Sequence, residues 1–350
     1  MAYSTIIKPS DYFNTKLYTG TGASNAITGV GFQPDFTWIK ERAGAAHDHN
    51  LTDAVRGVTK TIRSNTNGAQ TTDAQDLKTF DSNGFTVGTN GGVNENNINF
   101  ASWNWKGNGS GSANTDGTIS STVSANTTSG FSIVKYTGNS SSTSTIGHGL
   151  GVAPSLVMIK NLGQAEEWAV GANAGDLNFT QYAYLNLTNA FSTNAAAFFN
   201  NTNPSSSLIY IGNSGTVNGG ASYEHIAYCF ANIKGYSKIG YYVGNQNADG
   251  PFLYTGFKPA FILSKKIDGA SDWYIFDSKR EGYNFDNDTL LANQTTAEST
   301  TDYLDILSNG YKVRTTDGDL NTNNGEYVYM AFAENPFVAN VGESLPTTAR

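Results

Sequence analysis

The sequence is poor in cysteine and in long apolar runs. Its 350 residues include one cysteine, so no disulfide can form within the chain. Cys229 lies in the apolar stretch YEHIAYCFA, which is typical of a small core residue. No run of about 18 apolar residues occurs that would span a membrane, and the N-terminal MAYSTIIKPSDYF lacks the basic start and apolar stretch of a signal peptide. We therefore predict cytoplasmic synthesis, no signal peptide and no membrane insertion.

Charge is also scarce, since charged residues make up 14% of the chain and the formal net charge is −8. Without a basic field, or a cluster of Lys and Arg among aromatic residues, we predict no nucleic-acid partner. Polarity comes instead from 38 glycines and from recurrent Asn, Ser and Thr, which favour turns over helices. With 19 Tyr and 19 Phe to fill cores, this composition predicts an all-β chain rich in turns.

One strand-like stretch occurs three times, as GFQPDFTWIK from residue 31, GVAPSLVMIK from 151 and GFKPAFILSK from 256. Proline cannot donate to a central β-ladder, so Pro34 and its counterparts are expected at the entry of a strand. The apolar run that follows is typical of a buried strand. Lys40, Lys160 and Lys265 are expected at its exit, where each ammonium group reaches water. The repeat indicates one β unit in three copies.

We therefore predict an all-β fold of three tandem, internally repeated β-sandwich units, lectin-like or jelly-roll-like, with short helical turns. The best helical candidates are TTDAQDLKTF and TAESTTDYLDIL, where Thr or Ser could cap a turn or two. The predicted boundaries are 1–109 for the first repeat with an N-terminal attachment segment, 110–130 for a Gly/Ser/Thr/Asn linker, 131–238 for the second repeat, 239–337 for the third, and 338–350 for an extended C-terminal tail.

Each repeat carries an aromatic or imidazole side chain shortly after its lysine. An aromatic face can stack on a sugar ring, while nearby polar side chains hydrogen-bond the hydroxyls of the sugar. Acidic and Arg residues follow in the first and third repeats, and the middle repeat lacks them. We therefore predict that a ligand is bound by eight residues: His49, Asp53, Arg56, Trp168, Asp272, Trp273, Asp277 and Arg280.

Each group of residues that could carry out catalysis also has a structural explanation. Asp272, Asp277 and Glu281 lie near Trp273, and a glycosidase uses two such carboxylates around a sugar. However, the Asp277 and Arg280 spacing recurs in the first repeat, so a structural ion pair explains it without chemistry. No Ser or Cys motif accompanies the isolated histidines, so a hydrolytic triad has no support. We predict no enzyme and no catalytic residue.

Two stretches contain residues that ligate metals. His47 and His49 flank Asp48, and residues two apart on a strand face the same side, so they could bind a metal; a solvated loop is the interpretation that we favour. The loop TTDGDLNTNNGE, with Asp317 and Asp319, resembles the start of a calcium loop. It lacks the Gly and Glu that an EF-hand requires, which favours a hairpin loop. We predict no metal and no cofactor.

Several long segments of this sequence are specific enough to mark a protein family. They include KPSDYFNTKLYTGTG, GVGFQPDFTWIK, IGHGLGVAPSLVMIKN, AYCFANIKGYSKIGYYVGN, GPFLYTGFKPAFILSKK, YVYMAFAENPF and the terminal LPTTAR. Over nearly its whole length the chain resembles a family of virion-associated proteins from marine tailed phages that infect cyanobacteria and pelagic bacteria. The resemblance implies a structural, tail-fibre-like or host-adsorption protein located in the virion and made in the host cytoplasm. It implies no catalytic residues.

The function predicted from these observations is a non-enzymatic virion protein. The first hypothesis is a tail-fibre-associated adhesin that contacts a host surface glycan or protein. The second is a structural protein that decorates the capsid or completes the tail, and the third is an enzyme that degrades polysaccharide. Other virion proteins are the expected partners. Three tandem units would also fit a pseudo-symmetric cap on a three-fold axis or a homotrimer.

Overall fold

The structure, a computed structural model, describes residues 4–336 except 221, 281–283 and 285–287. Within these residues the helices are short, namely a 3₁₀ helix at Pro9–Asp11 and four α-helices of four residues each. No helix in this part of the chain is long and apolar enough to cross a membrane. The prediction of an all-β fold is confirmed. The predicted tail at 338–350 and the candidate carboxylate Glu281 lie outside the described residues.

Segment 1, residues 13–105, forms a four-stranded sheet, a three-stranded sheet and a short hairpin. The four-stranded sheet has the order β1-β9-β3-β4 and the three-stranded sheet the order β2-β8-β7. The elements are β1 Phe13–Thr19, β2 Asn25–Thr28, β3 Phe36–Glu41, β4 Asn50–Asp53, β5 Lys60–Thr61, β6 Thr71–Thr72, β7 Leu77–Asp81, β8 Gly84–Val87, α1 Gly91–Asn94 and β9 Asn99–Trp105.

Segment 2, residues 112–230, forms an eight-stranded sheet and a two-stranded sheet. The large sheet has the order β10-β11-β12-β19-β14-β15-β16-β17, and β13 pairs with β18. The elements are β10 Ser112–Asn114, β11 Ser121–Asn126, β12 Phe131–Thr137, β13 Ser144–Gly147, β14 Leu156–Asn161, β15 Ala169–Ala172, β16 Gln181–Tyr184, β17 Ser192–Thr193, α2 Ala196–Phe199, β18 Leu208–Ile211, α3 Gly215–Asn218 and β19 Glu224–Phe230.

Segment 3, residues 237–336, forms a five-stranded sheet in the order β20-β27-β22-β23-β24 and a three-stranded sheet in the order β21-β26-β25. The elements are β20 Ser237–Val243, β21 Phe252–Tyr254, β22 Phe257–Lys266, β23 Tyr274–Asp277, β24 Leu290–Leu291, β25 Leu304–Leu307, β26 Gly310–Val313, α4 Gly318–Asn321 and β27 Glu326–Pro336.

The large sheets of the three segments share one pairing order. In each, the first long strand pairs with the last strand, the last strand pairs with the strand of the repeated GxxP stretch, and that strand pairs with the next one. The registers correspond as well, since Trp38 lies opposite Trp103, Met158 opposite Tyr228 and Leu263 opposite Met330. Residues can therefore be compared position by position between segments.

The predicted linker at 110–130 carries two strands. β10 and β11 pair with each other, and β11 pairs with β12, so this stretch extends the large sheet of segment 2. The sequence here has few large side chains, but a strand at the side of a sheet needs only backbone partners and modest burial. Ser121 and Val123 supply that burial.

Each large sheet is covered on both faces. One face packs against the small sheet of the same segment, in three separate apolar clusters. The other face contributes to one central cluster that contains residues from all three segments. At its middle the rings of Trp105, Phe230 and Phe332, which hold the same position in their segments, meet with centroids 5.7 to 6.2 Å apart. Alternate residues of these strands thus serve two different cores.

A short helical turn precedes the last strand of each segment and carries a buried asparagine. Asn94, Asn218 and Asn321 end α1, α3 and α4. Each side-chain oxygen accepts from a backbone N–H of the loop after the first long strand of its segment, and each amide nitrogen donates to two backbone carbonyls. The asparagine side chain therefore supplies hydrogen-bond partners for backbone groups of a loop that does not pair in a β-sheet.

Candidate functional site

The three repeated lysines lie in the interior, and the predicted exit to water is wrong. Lys40, Lys160 and Lys265 each have 0% exposed surface. Each ammonium group donates to a backbone carbonyl of another segment: Lys40 to Thr295 at 3.0 Å, Lys160 to Asn67 at 3.1 Å and Lys265 to Thr188 at 2.9 Å. Segment 1 thus contacts segment 3, segment 2 contacts segment 1, and segment 3 contacts segment 2. The contacts form a closed ring.

The predicted ligand-binding residues His49, Trp168 and Trp273 belong to the same ring. All three are buried, and each ring N–H reaches a backbone carbonyl of the segment that the neighbouring lysine contacts. The bonds run from His49 Nε2 to Leu291 O at 3.0 Å, from Trp168 Nε1 to Arg63 O at 2.8 Å and from Trp273 Nε1 to Tyr184 O at 2.9 Å. These side chains therefore join segments and offer no open face to a ligand.

We call the contacts that Lys40 and His49, Lys160 and Trp168, and Lys265 and Trp273 make with a neighbouring segment the three junctions. An asparagine and an acid complete each of them. The side-chain oxygens of Asn65, Asn186 and Asn293 accept from the backbone N–H of the residue at the junction, at 2.9 to 3.0 Å. Their amide groups donate to the acids that precede those residues, which are Asp48, Glu167 and Asp272. Asp272 also accepts from Gln294. Its carboxylate orients the junction, and this accounts for the acid before the aromatic residue.

The two Asp and Arg pairs also lie at contacts between segments. Asp53 Oδ2 accepts from Arg56 Nε at 2.5 Å and from the hydroxyl of Tyr228, in segment 2, at 2.7 Å. Asp277 Oδ2 accepts from Arg280 Nε at 2.6 Å and from Trp103 Nε1, in segment 1, at 3.0 Å. Both carboxylates are buried. The Asp277 carboxylate is therefore buried and engaged by two donors in the described part of the chain.

Segment 2 lacks the Asp and Arg pair, and the residue at the facing position in segment 3 differs accordingly. By register, Ala172 holds the position of Asp53 and Asp277, and Met330 holds that of Tyr228 and Trp103. Where an acid is present, the residue from the other segment donates a hydrogen bond. Where alanine replaces the acid, segment 3 supplies a thioether at that position, and both residues belong to the central apolar cluster. A donor there would lack a partner.

Seven of the eight predicted ligand-binding residues are buried, and Asp272 is half-buried. The repeated pattern that singled them out reflects repeated contacts between segments. Trp38, Trp103 and Trp105 are buried as well. In the calcium-like loop, Asp317 caps α4 by accepting from the backbone N–H of Asp319 at 2.8 Å, which is a structural task.

A partly exposed cleft lies in segment 3. Tyr274 and Tyr303 meet at 5.6 Å between ring centroids and 77° between planes. They line a cleft of about 240 Å³, which we call the tyrosine cleft. Its lining consists of aromatic, apolar and hydroxyl-bearing residues: Tyr274, Thr289, Leu291, Thr296, Ala297, Ser299 and Tyr303. Thr296, Ala297 and Ser299 are exposed and Tyr303 is half-buried, whereas Tyr274 and Thr289 form the buried floor of the cleft, with 6% and 2% of their surface exposed.

A carboxylate lies beside the tyrosine cleft. The hydroxyl of Tyr274 donates to Asp319 Oδ2 at 3.0 Å. Burial raises the pKa of Asp319, and burial with the nearby Asp319 charge raises the pKa of Tyr274 far above its usual value. The phenol therefore stays protonated and holds its orientation. Aromatic rings, hydroxyl groups and a fixed acceptor are the groups that bind a neutral polar ring.

The loop that forms one wall of the cleft is held from segment 1. Glu298 accepts from Arg42 Nη2 at 2.6 Å and from Arg280 Nη1 at 3.0 Å, and its backbone N–H donates to Arg42 O at 2.8 Å. Burial alone would raise the pKa of Glu298, but the hydrogen bond from Arg42 and the charge of Arg280 lower it. The wall is thus fixed before any ligand arrives.

The sequence contained one usable signal for this site. In DWYIFD the side chains of a strand alternate, so a buried Trp273 places Tyr274 on the opposite face. Tyr303 comes from a distant loop, and no local pattern connects it with Tyr274. The two histidines that were considered as metal ligands separate: His49 contacts segment 3, whereas His47 contacts Glu41.

Comparison with known proteins identifies one related family. A family model described as a domain of unknown function, DUF7483, matches residues 8–336. No curated protein and no solved structure matches the chain.

Proposed function

The chain belongs to the DUF7483 family, whose function is unknown, and we propose that it is a non-enzymatic structural protein of a phage virion. In this proposal it acts as a tail-fibre-associated adhesin. It contacts a host surface glycan through the tyrosine cleft, with the three segments as a rigid support. Its partners are other virion proteins and the host receptor.

The arrangement of the three segments is consistent with a rigid scaffold for a binding site. We propose that the three segments are copies of one sandwich unit, because their large sheets share one pairing order and their junctions use corresponding residues. Three such units closed around one core would match a three-fold appendage from a single chain. Binding residues on a fixed scaffold lose little conformational freedom when a ligand arrives.

The observation that carries the proposal is the tyrosine cleft. It combines the rings of Tyr274 and Tyr303 with the hydroxyl-bearing residues Thr289, Thr296 and Ser299, and the carboxylate that accepts from Tyr274 lies next to it. A sugar presents an apolar ring face and a rim of hydroxyls, which this set of groups complements. The remaining support is the resemblance of the sequence to marine phage virion proteins, since a phage particle must adsorb to a cell.

The test is binding of the purified full-length protein to host envelope polysaccharide by isothermal titration calorimetry. We expect binding that Tyr303→Ala weakens at least tenfold, since Tyr303 is partly exposed and its truncation leaves the sheet intact. Tyr254→Ala is the matched control, because Tyr254 is an exposed tyrosine outside the cleft. Equal binding by wild type and Tyr303→Ala, or none by either, would refute the glycan site. Release of reducing sugar would refute the non-enzymatic assignment.

A second candidate function is that of a structural protein which completes the tail or decorates the capsid. The observation in its favour is β21, which lies at the side of its sheet and exposes Phe252 and Tyr254 on the same face, with 45% and 47% of their surface accessible. An exposed apolar edge strand can pair with a strand of another protein. Binding to virions that lack the protein, lost in Phe252→Ser, together with no binding to host polysaccharide, would favour this function.

A further inference from the structure

Three metal-ligating side chains meet at the end of β3 in segment 1. Glu41 ends that strand, His47 follows in the next loop, and Glu95 caps the C-terminus of α1. His47 Nδ1 lies 2.9 Å from Glu41 Oε2 and 3.7 Å from Glu95 Oε2. All three donor atoms lie within 4.8 Å of one another. Donors on a tetrahedral ion with bonds of 2.0–2.2 Å are ~3.4 Å apart, close to these separations.

Two glycines border the donor atoms. A Cβ added at Gly44 would lie 3.4 Å from Glu41 Oε2, and one added at Gly91 would lie 3.4 Å from the His47 ring. Gly44 has a φ of 123°, which glycine alone adopts readily. The loop thus uses glycine where a side chain would fill the space beside the donors.

One carboxylate oxygen of the cluster has no hydrogen-bond donor. Glu95 Oε2 is inaccessible to solvent and accepts no hydrogen bond, although the rest of the side chain is 40% exposed. An inaccessible carboxylate oxygen without a donor is costly. A cation between Glu95 and His47 would satisfy it.

The charges around the cluster favour a divalent cation. Glu41 Oε1 is engaged by the backbone N–H of His47 and lies 3.8 Å from the ammonium of Lys40, whereas, among the described residues, Glu41 Oε2 contacts only His47 Nδ1, whose proton a metal would replace. Two carboxylates exceed the single charge of Lys40. Imidazole with carboxylates is a ligand set for zinc and related transition metals rather than for calcium or magnesium, which prefer oxygen alone.

The cluster is not a requirement of the fold. At the position of Glu41, segment 2 has Asn161 and segment 3 has Lys266. In contrast, the junction residues make the same kind of contact with a neighbouring segment in all three segments. Because the cluster occurs in segment 1 and not at the corresponding positions of segments 2 and 3, the shared strand order alone does not explain it.

We propose that Glu41, His47 and Glu95 form a binding site for one divalent transition metal ion of the zinc type. The three protein ligands leave a fourth position directed toward the exposed side of His47 and Glu95. The ion replaces the proton of His47 Nδ1 and links the β3–β4 loop to α1. This site is separate from the tyrosine cleft.

The experiment is titration of the EDTA-treated full-length protein with Zn²⁺ by isothermal titration calorimetry and thermal unfolding. We expect one Zn²⁺ per chain and a higher unfolding temperature. His47→Gln and Glu95→Gln, both at partly exposed positions, should each weaken binding at least tenfold. Glu224→Gln is the matched control, since Glu224 is exposed and forms its ion pair with Lys135 in segment 2.

The other histidines cannot mimic this result in the folded protein. His49, His148 and His225 have 0% exposed surface, and Cys229 is buried. No Zn²⁺ binding by the wild type, or the same affinity in His47→Gln and Glu95→Gln as in Glu224→Gln, would overturn the proposal. Tighter binding of Ca²⁺ than of Zn²⁺ would overturn the assigned class of metal.

Discussion

Lys160 shows how a charged residue is accommodated in the interior. Its ammonium donates to Asn67 O at 3.1 Å, Asn161 O at 2.9 Å and Glu166 O at 2.8 Å. Burial is the main cause that lowers its pKa to about 8, and the charges of Glu166 and Glu167 oppose this shift. Three carbonyls around one cation replace water as its solvation shell, and so the charge is tolerated.

Replacing this cation tests the importance of the junction. We expect Lys160→Met to lower the free energy of unfolding by about 2 kcal/mol, because the carbonyls lose their donor while the apolar stem is kept. Urea denaturation measures the change. Lys78→Met, at an exposed lysine, is the control and should change stability by less than about 0.5 kcal/mol. Equal midpoints for the two variants would contradict a stabilising junction.

A buried histidine makes stability depend on pH. Burial, with the charge of Lys160, lowers the pKa of His225 from 6.5 to about 4 against the opposing effect of its backbone hydrogen bonds. Between pH 6.5 and about 4 the unfolded chain binds a proton that the folded chain does not. The free energy of unfolding should therefore fall as pH decreases through this window, by up to about 1.4 kcal/mol per pH unit from this group.

Urea midpoints at pH 7, 6 and 5 measure this dependence. We expect His225→Gln to have a shallower loss of stability than the wild type, whatever its absolute stability, since glutamine cannot take up the proton. Parallel pH profiles for the two proteins would show that His225 does not contribute the predicted share.

At the scale of elements, the helical turns and strands differ from the sequence-based expectations in an informative way. TTDAQDLKTF was expected to form a helical turn, but it contains β6 and most of β7. TAESTTDYLDIL contains β25. Three of the four α-helical turns occur instead in GGVN, GTVN and GDLN, where Gly and Asn are poor helix formers. Tertiary hydrogen bonds of the asparagine, not helix propensity, stabilise these turns.

The asparagine turn allows a direct test. We expect Asn218→Ala to destabilise the protein by about 2 kcal/mol, because the buried Gly212 carbonyl loses its donor and the loop at Asn139 and Ser141 loses two further hydrogen bonds. Chemical denaturation measures the loss. Asn203→Ala, at an exposed asparagine, serves as the control. A loss below about 0.5 kcal/mol in Asn218→Ala would mean that the turn does not depend on the amide.

At the scale of the whole molecule, the segments depend on one another. The central apolar cluster draws on all three, and the ring of junctions closes without a free end among the described residues. An isolated segment would expose the inner face of its large sheet to water. We therefore expect that the predicted units do not fold independently, even though their strand orders correspond.

This dependence predicts a single unfolding transition. Phe332→Ala should lower the free energy of unfolding by about 3 to 5 kcal/mol, since its ring contacts Trp105 of segment 1 and Phe230 of segment 2. Hydrogen exchange should show loss of protection in all three segments together, and calorimetry one peak. Phe252→Ala, at an exposed ring, is the control. Separate transitions, or lost protection in segment 3 alone, would contradict a shared core.

The sequence by itself determined the all-β class, the three strands of the repeated GxxP stretch and the correspondence of His49, Trp168 and Trp273. These depend on alternation, on turn residues and on spacing, which act over a few residues. The tertiary structure alone decided that Lys40, Lys160 and Lys265 are buried, that the predicted binding residues join segments, and that Tyr274 meets Tyr303. Each of these depends on which distant backbone carbonyl or ring lies opposite a side chain. Local sequence carries no information about that partner, because the closure of three sheets around one core brings it into contact.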